Sequence, residues 1–324
     1  MIQVSDLRLP SGSKPAACVD IGGTKVAVNL IDERGVRGKV TEPTCKVGDR
    51  DALGKQVLSL IAQSCALAGV EEGEISQVGV ASCGPFVIHE GMIELATPNI
   101  CGGLAGAARG LPNDWKSAVL EASLRQRYPK VRVENDGIGA LEAERRWGAL
   151  QIDGEPLRHC AYVTWSTGIG TGLCVDGQIL RGKNGNAGHA GHLFVSSGSA
   201  ALCGCGNIGD VESLVAGNAI ARRFAPEGYP DAQALFDAAY HGDAKAIALI
   251  DDLCEVMGRL LYDLIATLDL SRISLGGSVY WHHREYLLPR LRAVVSGKLP
   301  ALTDGCGIVS AGLGERVEIG RAHV

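Results

Sequence analysis

The sequence predicts an α/β protein built from two copies of one folding pattern, with a cleft between the copies. Residues 16–31, AACVDIGGTKVAVNLI, are two β-rich runs broken by Gly22-Gly23, and a Gly-Gly pair between strands signals a hairpin. Residues 161–180, AYVTWSTGIGTGLCVDGQIL, repeat the design as an apolar strand, a Thr/Gly turn, a second strand, then Asp-Gly and a third. With 44 glycines and only 5% aromatic residues, the chain suits an α/β protein with many tight turns better than an all-β core.

The elements between and after the hairpins follow from periodicity. DALGKQVLSLIAQSCALAGV puts Leu53, Val57, Leu60, Ile61 and Leu67 on one helical face. SQVGVASCGPF reads as a buried strand ending in a Gly-Pro turn, WKSAVLEASLRQRY as a helix, and KVRVEN as a strand. DGIGALEAERRWGAL starts a helix immediately after that strand. Residues 244–268 form a long apolar-periodic helix, and SRISLGGS is a strand with a third glycine turn. Residues 99–114, NICGGLAGAARGLPND, lack a periodic pattern and suggest a mobile loop over a site. No Pro/Ser linker separates the halves, so two close-packed domains sharing a hinge are expected.

Composition narrows the function. The 324 residues are enough for two domains, and 46% hydrophobic with 21% charged residues is a soluble globular balance. A formal charge of −5 and the lack of a basic stripe with interleaved aromatics argue against nucleic acid as a partner. No run approaches the roughly 18 apolar residues of a membrane span. MIQVSDLRLPSGSKP carries charge and proline where a signal peptide needs an apolar core, so a cytoplasmic location is expected. Most of the 11 cysteines sit singly in apolar stretches and read as small buried hydrophobes.

Three glycine turns follow strands: Gly22-Gly23 with Thr24 and Lys25, Thr167-Gly168 with Gly170, and Gly276-Gly277. Amides exposed in such turns bind anions, and glycine lets a phosphate approach closely. Neither G-x-x-x-x-G-K-[ST] nor a G-x-G-x-x-G at the first strand is present, which excludes a Walker site and counts against a Rossmann dehydrogenase. Asn135-Asp136 lies where a strand meets a helix. It reads as a helix cap, as a base at the carboxyl end of a strand, or as both. His189 and His192 followed by Cys203 and Cys205 have the look of metal ligands.

Taken together, VDIGGTKVAVNLID, VENDGIGALEAE, STGIGTGLCVDGQILRG, AGHAGH, CGCGNIGDVES and ISLGGSV resemble the ROK family of sugar kinases and sugar-sensing repressors. The likeness runs from about Cys18 to the C-terminus, with the motifs in the family's order and spacing. It implies the actin-like, ribonuclease H-like duplicated ATPase fold and an enzyme that uses ATP and Mg2+ to phosphorylate the 6-hydroxyl of a hexose, glucose first. By matched position, Asp20, Gly22, Gly23, Thr24 and Lys25 resemble the first phosphate loop, with Asp20 near the magnesium. Thr167, Gly168 and Gly170 resemble the second loop, and Gly276 and Gly277 the adenosine-side turn. Asn99, Asn135, Asp136, His189, His192 and Glu212 align with the sugar contacts, and Asp136 takes the role of base.

Two positions depart from the family. His192, Cys203 and Cys205 match its zinc ligands, but Asp210 stands where a third Cys is expected; zinc accepts carboxylate oxygen, so a structural Zn2+ is still expected. The competing reading is a metal-free segment in which Asp210 only caps the next helix. His189 replaces the usual sugar-binding Glu, as in the family's N-acetylmannosamine kinases, and makes an amino or N-acylamino sugar the alternative substrate. The segment from Gly102 to Trp115 is also longer than usual. A repressor would need a helix-turn-helix, for which the about fifteen residues before the first strand are too few. Polyphosphate is an alternative donor, and a homodimer or homotetramer is expected. The implied domains are residues 1–134, completed by a C-terminal helix near 310–324, and residues 135–309.

Overall fold

The computed structural model describes residues 7–105, 110–196 and 198–314. These form two compact units: residues 7–143 with 181–187, and residues 144–180 with 188–314.

The first unit is built on a sheet of order β3-β2-β1-β4-β8, formed by β1 (Ala16–Ile21), β2 (Lys25–Asp32), β3 (Gly35–Pro43), β4 (Gln77–Ser82) and β8 (Val131–Asn135). The predicted hairpin is there: β1 runs antiparallel to β2, with Val19 opposite Val28. On its other side β1 runs parallel to β4, and β4 parallel to β8. Residues on both faces of β1 are buried, Asp20 alone being half-buried, so the strand is apolar almost throughout. A second, small sheet of order β5-β6-β7 joins Phe86–His89, Met92–Leu95 and Ala118–Val119.

Helix α1 (Ala52–Ala68) turns Leu53, Val57, Leu60, Ile61 and Cys65 into this core. Leu67 does not follow; it is 70% exposed, because the inward arc of the last two turns is taken by Ser64 and Cys65. The stretch 115–128 is not one helix either. Ala118 and Val119 pair with Leu95 and Glu94, and only α3 (Glu121–Arg125) coils. Cross-strand pairing has overridden helical propensity there. The segment expected to be a mobile loop contains a short helix, α2 (Gly102–Ala105), and residues 106–109 lie outside the described ones. Its described ends are tied by Asn113, which accepts from the Gly102 and Trp115 amides and donates to the carbonyls of Lys46 and Ile100.

The second unit repeats the plan. After a ribbon of β9 (Gln151–Ile152) and β10 (Glu155–Pro156) comes a sheet of order β13-β12-β11-β14-β15, made of β11 (Cys160–Trp165), β12 (Ile169–Val175), β13 (Gln178–Ile179), β14 (Arg272–Gly276) and β15 (Gly307–Ser310). Pairing is again antiparallel on the hairpin side and parallel on the other. Position for position this is the first sheet's order, so the duplication read from two glycine hairpins is a duplication of topology. Helix α8 (Ala244–Leu268) spans the predicted residues and buries Ile250, Leu253, Met257, Leu261 and Ile265 on one face. No described helix is long and apolar enough to cross a membrane.

The division between units falls inside α4 (Asp136–Trp147), nine residues beyond the expected boundary at 134/135. The cause is Glu144, whose fully buried carboxylate accepts hydrogen bonds from the amides of Ala149, Gly312 and Leu313 and from the Ser274 hydroxyl. Those bonds tie the end of α4 to the second unit. The helix expected near 310–324 begins at the last residue of β15, and residues 315–324 lie outside the described ones.

Candidate functional site

In the first unit the sheet brings the predicted residues to one end. Ile21, Ser82 and Asn135 are adjacent across β1, β4 and β8, so Gly22, Cys83 and Asp136 leave the carboxyl ends of three neighbouring strands. The hairpin turn closes through the Gly22 amide, which donates to the Lys25 carbonyl at 2.9 Å. Thr44 braces it, its hydroxyl donating to the Gly22 carbonyl and its amide to the Thr24 carbonyl. The amides of Gly23 and Thr24 donate no hydrogen bond among the described residues. Gly23 has to be glycine, because a Cβ there would stand 2.8 Å from the Cβ of Asn99. That contact seats Asn99 against the turn.

Asp136 opens α4. The Gly137 amide is shared by Asn135 Oδ1 at 2.9 Å and Asp136 Oδ1 at 2.8 Å, so the helix cap exists and Asn135 maintains it alongside Asp136. A neighbour that the sequence did not single out is Cys83. Burial pushes its thiol up to about 12, and the carboxylates of Asp136 and Asp20 add to the rise. The thiol therefore stays protonated beside both carboxylates at neutral pH.

In the second unit the corresponding turn is Ser166–Gly168, closed by the Ser166 amide donating to the Gly168 carbonyl at 3.0 Å. The amides of Thr167 and Gly168, like those of Gly23 and Thr24, donate no hydrogen bond among the described residues. Gly170 lies in the strand, opposite Thr164. The turn is gripped by α5 (Val211–Val215) and the start of α6 (Gly217–Phe224). The Gly217 amide donates to the Ser166 carbonyl at 2.8 Å, the Asn218 amide to the Thr167 carbonyl, and the Trp165 indole to the Val215 carbonyl. Gly276 and Gly277 close β14, where a Cβ on either would clash with Tyr162 or with the Trp165 backbone at 2.3 and 2.5 Å. Packing alone therefore requires both glycines.

His189 and His192 share a single turn, with the His192 amide donating to the His189 carbonyl and the rings stacked 6.2 Å apart. Glycines 188 and 191 let this turn press onto β12, since a Cβ on either would come within 2.6 Å of a strand carbonyl. One ligand atom each from His192, Cys203, Cys205 and Asp210 lies within 4.8 Å of all the others. His192 Nδ1 is 3.2 Å from Asp210 Oδ2 and 3.6 Å from Cys203 Sγ, and Cys205 Sγ is 3.5 Å from the same Oδ2. Ligands on a tetrahedral zinc with bonds of about 2.0–2.3 Å stand roughly 3.3–3.8 Å apart, so one nitrogen, two sulfurs and one oxygen at these spacings fit the ion.

Asp210 also caps α5, its other oxygen, Oδ1, accepting from the Ser213 amide at 2.8 Å. Capping and cluster membership are not alternatives, because the carboxylate does one with each oxygen. Burial would raise this carboxyl, but hydrogen bonds from Ser213, Cys203 and His192 hold it below its ordinary range.

Two matching half-sheets, each closing its first hairpin with a pair of open amides, define an actin-like duplicated ATPase fold. The family model described as "ROK family" matches residues 16–302. The glucokinase of Aeropyrum pernix is 30% identical over 321 residues, covering 92% of both chains. The N-acetylmannosamine kinase of Salmonella newport is 34% identical over 267 residues, covering 81% of this chain and 82% of its own. The structure of a ROK hexokinase from Thermus thermophilus superposes with a TM-score of 0.76 at 29% identity, covering 95% of this chain and 96% of that one. The chain belongs to the ROK family.

Proposed function

We propose that this sugar kinase transfers the γ-phosphoryl group of ATP to the 6-hydroxyl of a hexose, with glucose as the first candidate. The observation that carries this reading is the matched pair of turns, each offering two consecutive unbonded amides at the first hairpin of its sheet. Phosphoryl transfer needs positioned donors and charge stabilisation more than covalent help from the protein. Gly23 and Thr24 supply one pair of amides, with Gly22 shaping the turn and Lys25 following it, and Thr167 and Gly168 supply the other, with Gly170 in the strand behind them. Gly276 and Gly277 form the turn assigned to the adenosine side, and Asp20 is the carboxylate suited to Mg2+.

Asp136 takes the proton of the 6-hydroxyl as the phosphoryl group arrives, and Asn99 and Asn135 orient the sugar from the same unit. His189, His192 and Glu212 are the further sugar contacts of this reading. His192 turns Nδ1 into the cluster, so Nε2 is the nitrogen left to meet a hydroxyl. Zinc, held by His192, Cys203, Cys205 and Asp210, would act as a structural ion fixing that imidazole. Elemental analysis of protein purified without chelator is expected to find about one zinc per chain, and Cys203→Ser to lose it. A fully active zinc-free preparation would remove this role.

A second substrate reading rests on His189. A neutral imidazole both donates and accepts, whereas the glutamate it replaces only accepts, and this alters recognition at C1 or C2. N-acetylmannosamine or another 2-acylamino sugar is the alternative. ADP release measured at fixed ATP against glucose, mannose, glucosamine and N-acetylmannosamine separates the two. His189→Glu is expected to raise kcat/KM for glucose relative to the acylamino sugar by about tenfold, the scale of the net contribution of one hydrogen bond. Unchanged ratios would clear His189 of any part in selectivity. Inorganic polyphosphate in place of ATP belongs in the same assay as a donor control.

A further inference from the structure

We infer that Glu212 is a positioning residue for the turn Ser166–Gly168, and that one carboxylate thereby couples sugar binding to nucleotide binding. This rests on the reading above, in which the turn holds phosphate and Glu212 meets the sugar. Glu212 sits in the first turn of α5. Its Oε2 accepts the amide of Ile169, the residue immediately after the turn, at 3.0 Å. The same oxygen lies where a Cβ on Gly168 would stand 3.0 Å away, so the carboxylate backs directly onto the glycine of the turn.

The consequence for the turn is geometric. The Ser166 and Thr167 carbonyls are held by the amides of Gly217 and Asn218, and the Ile169 amide is held by Glu212. With those groups engaged, the Thr167 and Gly168 amides are the two donors of this turn left without a partner among the described residues. Glu212 contributes the single charged bond in that set, and bonds to charged groups are the stronger class. Its second oxygen, Oε1, has no hydrogen bond among the described residues and is the atom available to a sugar hydroxyl. A sugar on Oε1 restrains the carboxylate, and a restrained carboxylate restrains the Ile169 amide. By linkage the effect is reciprocal: sugar tightens nucleotide as much as nucleotide tightens sugar.

The test is calorimetric titration of MgADP into wild type, Glu212→Gln and Glu212→Ala, without sugar and then with saturating glucose or N-acetylmannosamine. Glu212→Ala is expected to weaken MgADP by about tenfold without sugar and to abolish any tightening by sugar. Glu212→Gln keeps an oxygen for the Ile169 amide, so MgADP affinity should stay within about threefold of wild type while sugar affinity falls. Equal MgADP affinity in Glu212→Ala and wild type overturns the inference alone. A wild-type chain that binds no MgADP overturns the kinase reading and the inference with it. Thermal melting of the variants guards against a folding defect; if the Ala variant melts early, the Gln variant at saturating sugar decides, since the tightening of MgADP seen in wild type should shrink there and an undiminished tightening overturns the inference.

Discussion

Asp136→Asn is expected to lose about 10²–10⁴ of turnover, the usual contribution of a positioned proton acceptor, while sugar affinity changes only a few-fold. The substitution is nearly isosteric. The Asn carbonyl can still accept from the Gly137 amide, and Asn135 accepts from that amide as well, so the start of α4 is kept. What disappears is the capacity to take the proton of a hydroxyl. Paired measurements of kcat and of sugar Kd by calorimetry separate this from a binding defect. Near-normal kcat would transfer the role to another group, and Asp20 would be the first carboxylate to examine.

The largest expected effect on stability belongs to Glu144→Ala. Four donors converge on this carboxylate: the amides of Ala149 and Gly312 at 2.8 and 2.9 Å, the Leu313 amide at 2.8 Å, and the Ser274 hydroxyl at 3.1 Å. Truncation leaves all four in a buried site, and each buried donor without a partner costs about 1–3 kcal/mol, so with partial entry of water a loss of about 3–5 kcal/mol is expected. Glu144→Gln retains one acceptor oxygen but presents an NH2 to the remaining donors, so an intermediate loss is expected. Urea unfolding midpoints measure both. A loss below about 1 kcal/mol for the Ala variant would mean that the surrounding backbone finds other acceptors easily.

Glu144 also illustrates what the sequence could not disclose. It appears as one of several charged residues in a helix, and apart from the nearby Ala149 amide its donors come from positions far along the chain, so little that is local marks it. Cys83 is hidden for a similar reason: only the alignment of three strand ends sets it between Gly22 and Asp136. The glycine hairpins were legible because both halves of that signal are local, a β-rich run and a residue pair that permits the turn. Helix α8 was legible because its apolar period persists for 25 residues. The segment 115–128 misled because Ala, Leu and Glu favour helix in isolation, whereas Ala118 and Val119 are recruited by a strand in another part of the chain. The histidines and the Cys203/Cys205 pair stood out by spacing and Asp210 through the family resemblance, but the division of labour between the two Asp210 oxygens is a matter of geometry alone.

That division bears on the order in which this region is assembled. A cysteine at position 210 would offer one soft sulfur, a poor acceptor for a backbone amide, and the start of α5 would then depend on captured metal. With aspartate, the Ser213 amide is satisfied by oxygen from the outset, and the Ser213 hydroxyl adds a second tie to the Asp210 carbonyl. The helix start can thus be in place without an ion, and a zinc bound as proposed would be a late guest rather than a nucleus. On that proposal, a shortage of zinc would leave the start of α5 capped and only the imidazole of His192 without its anchor.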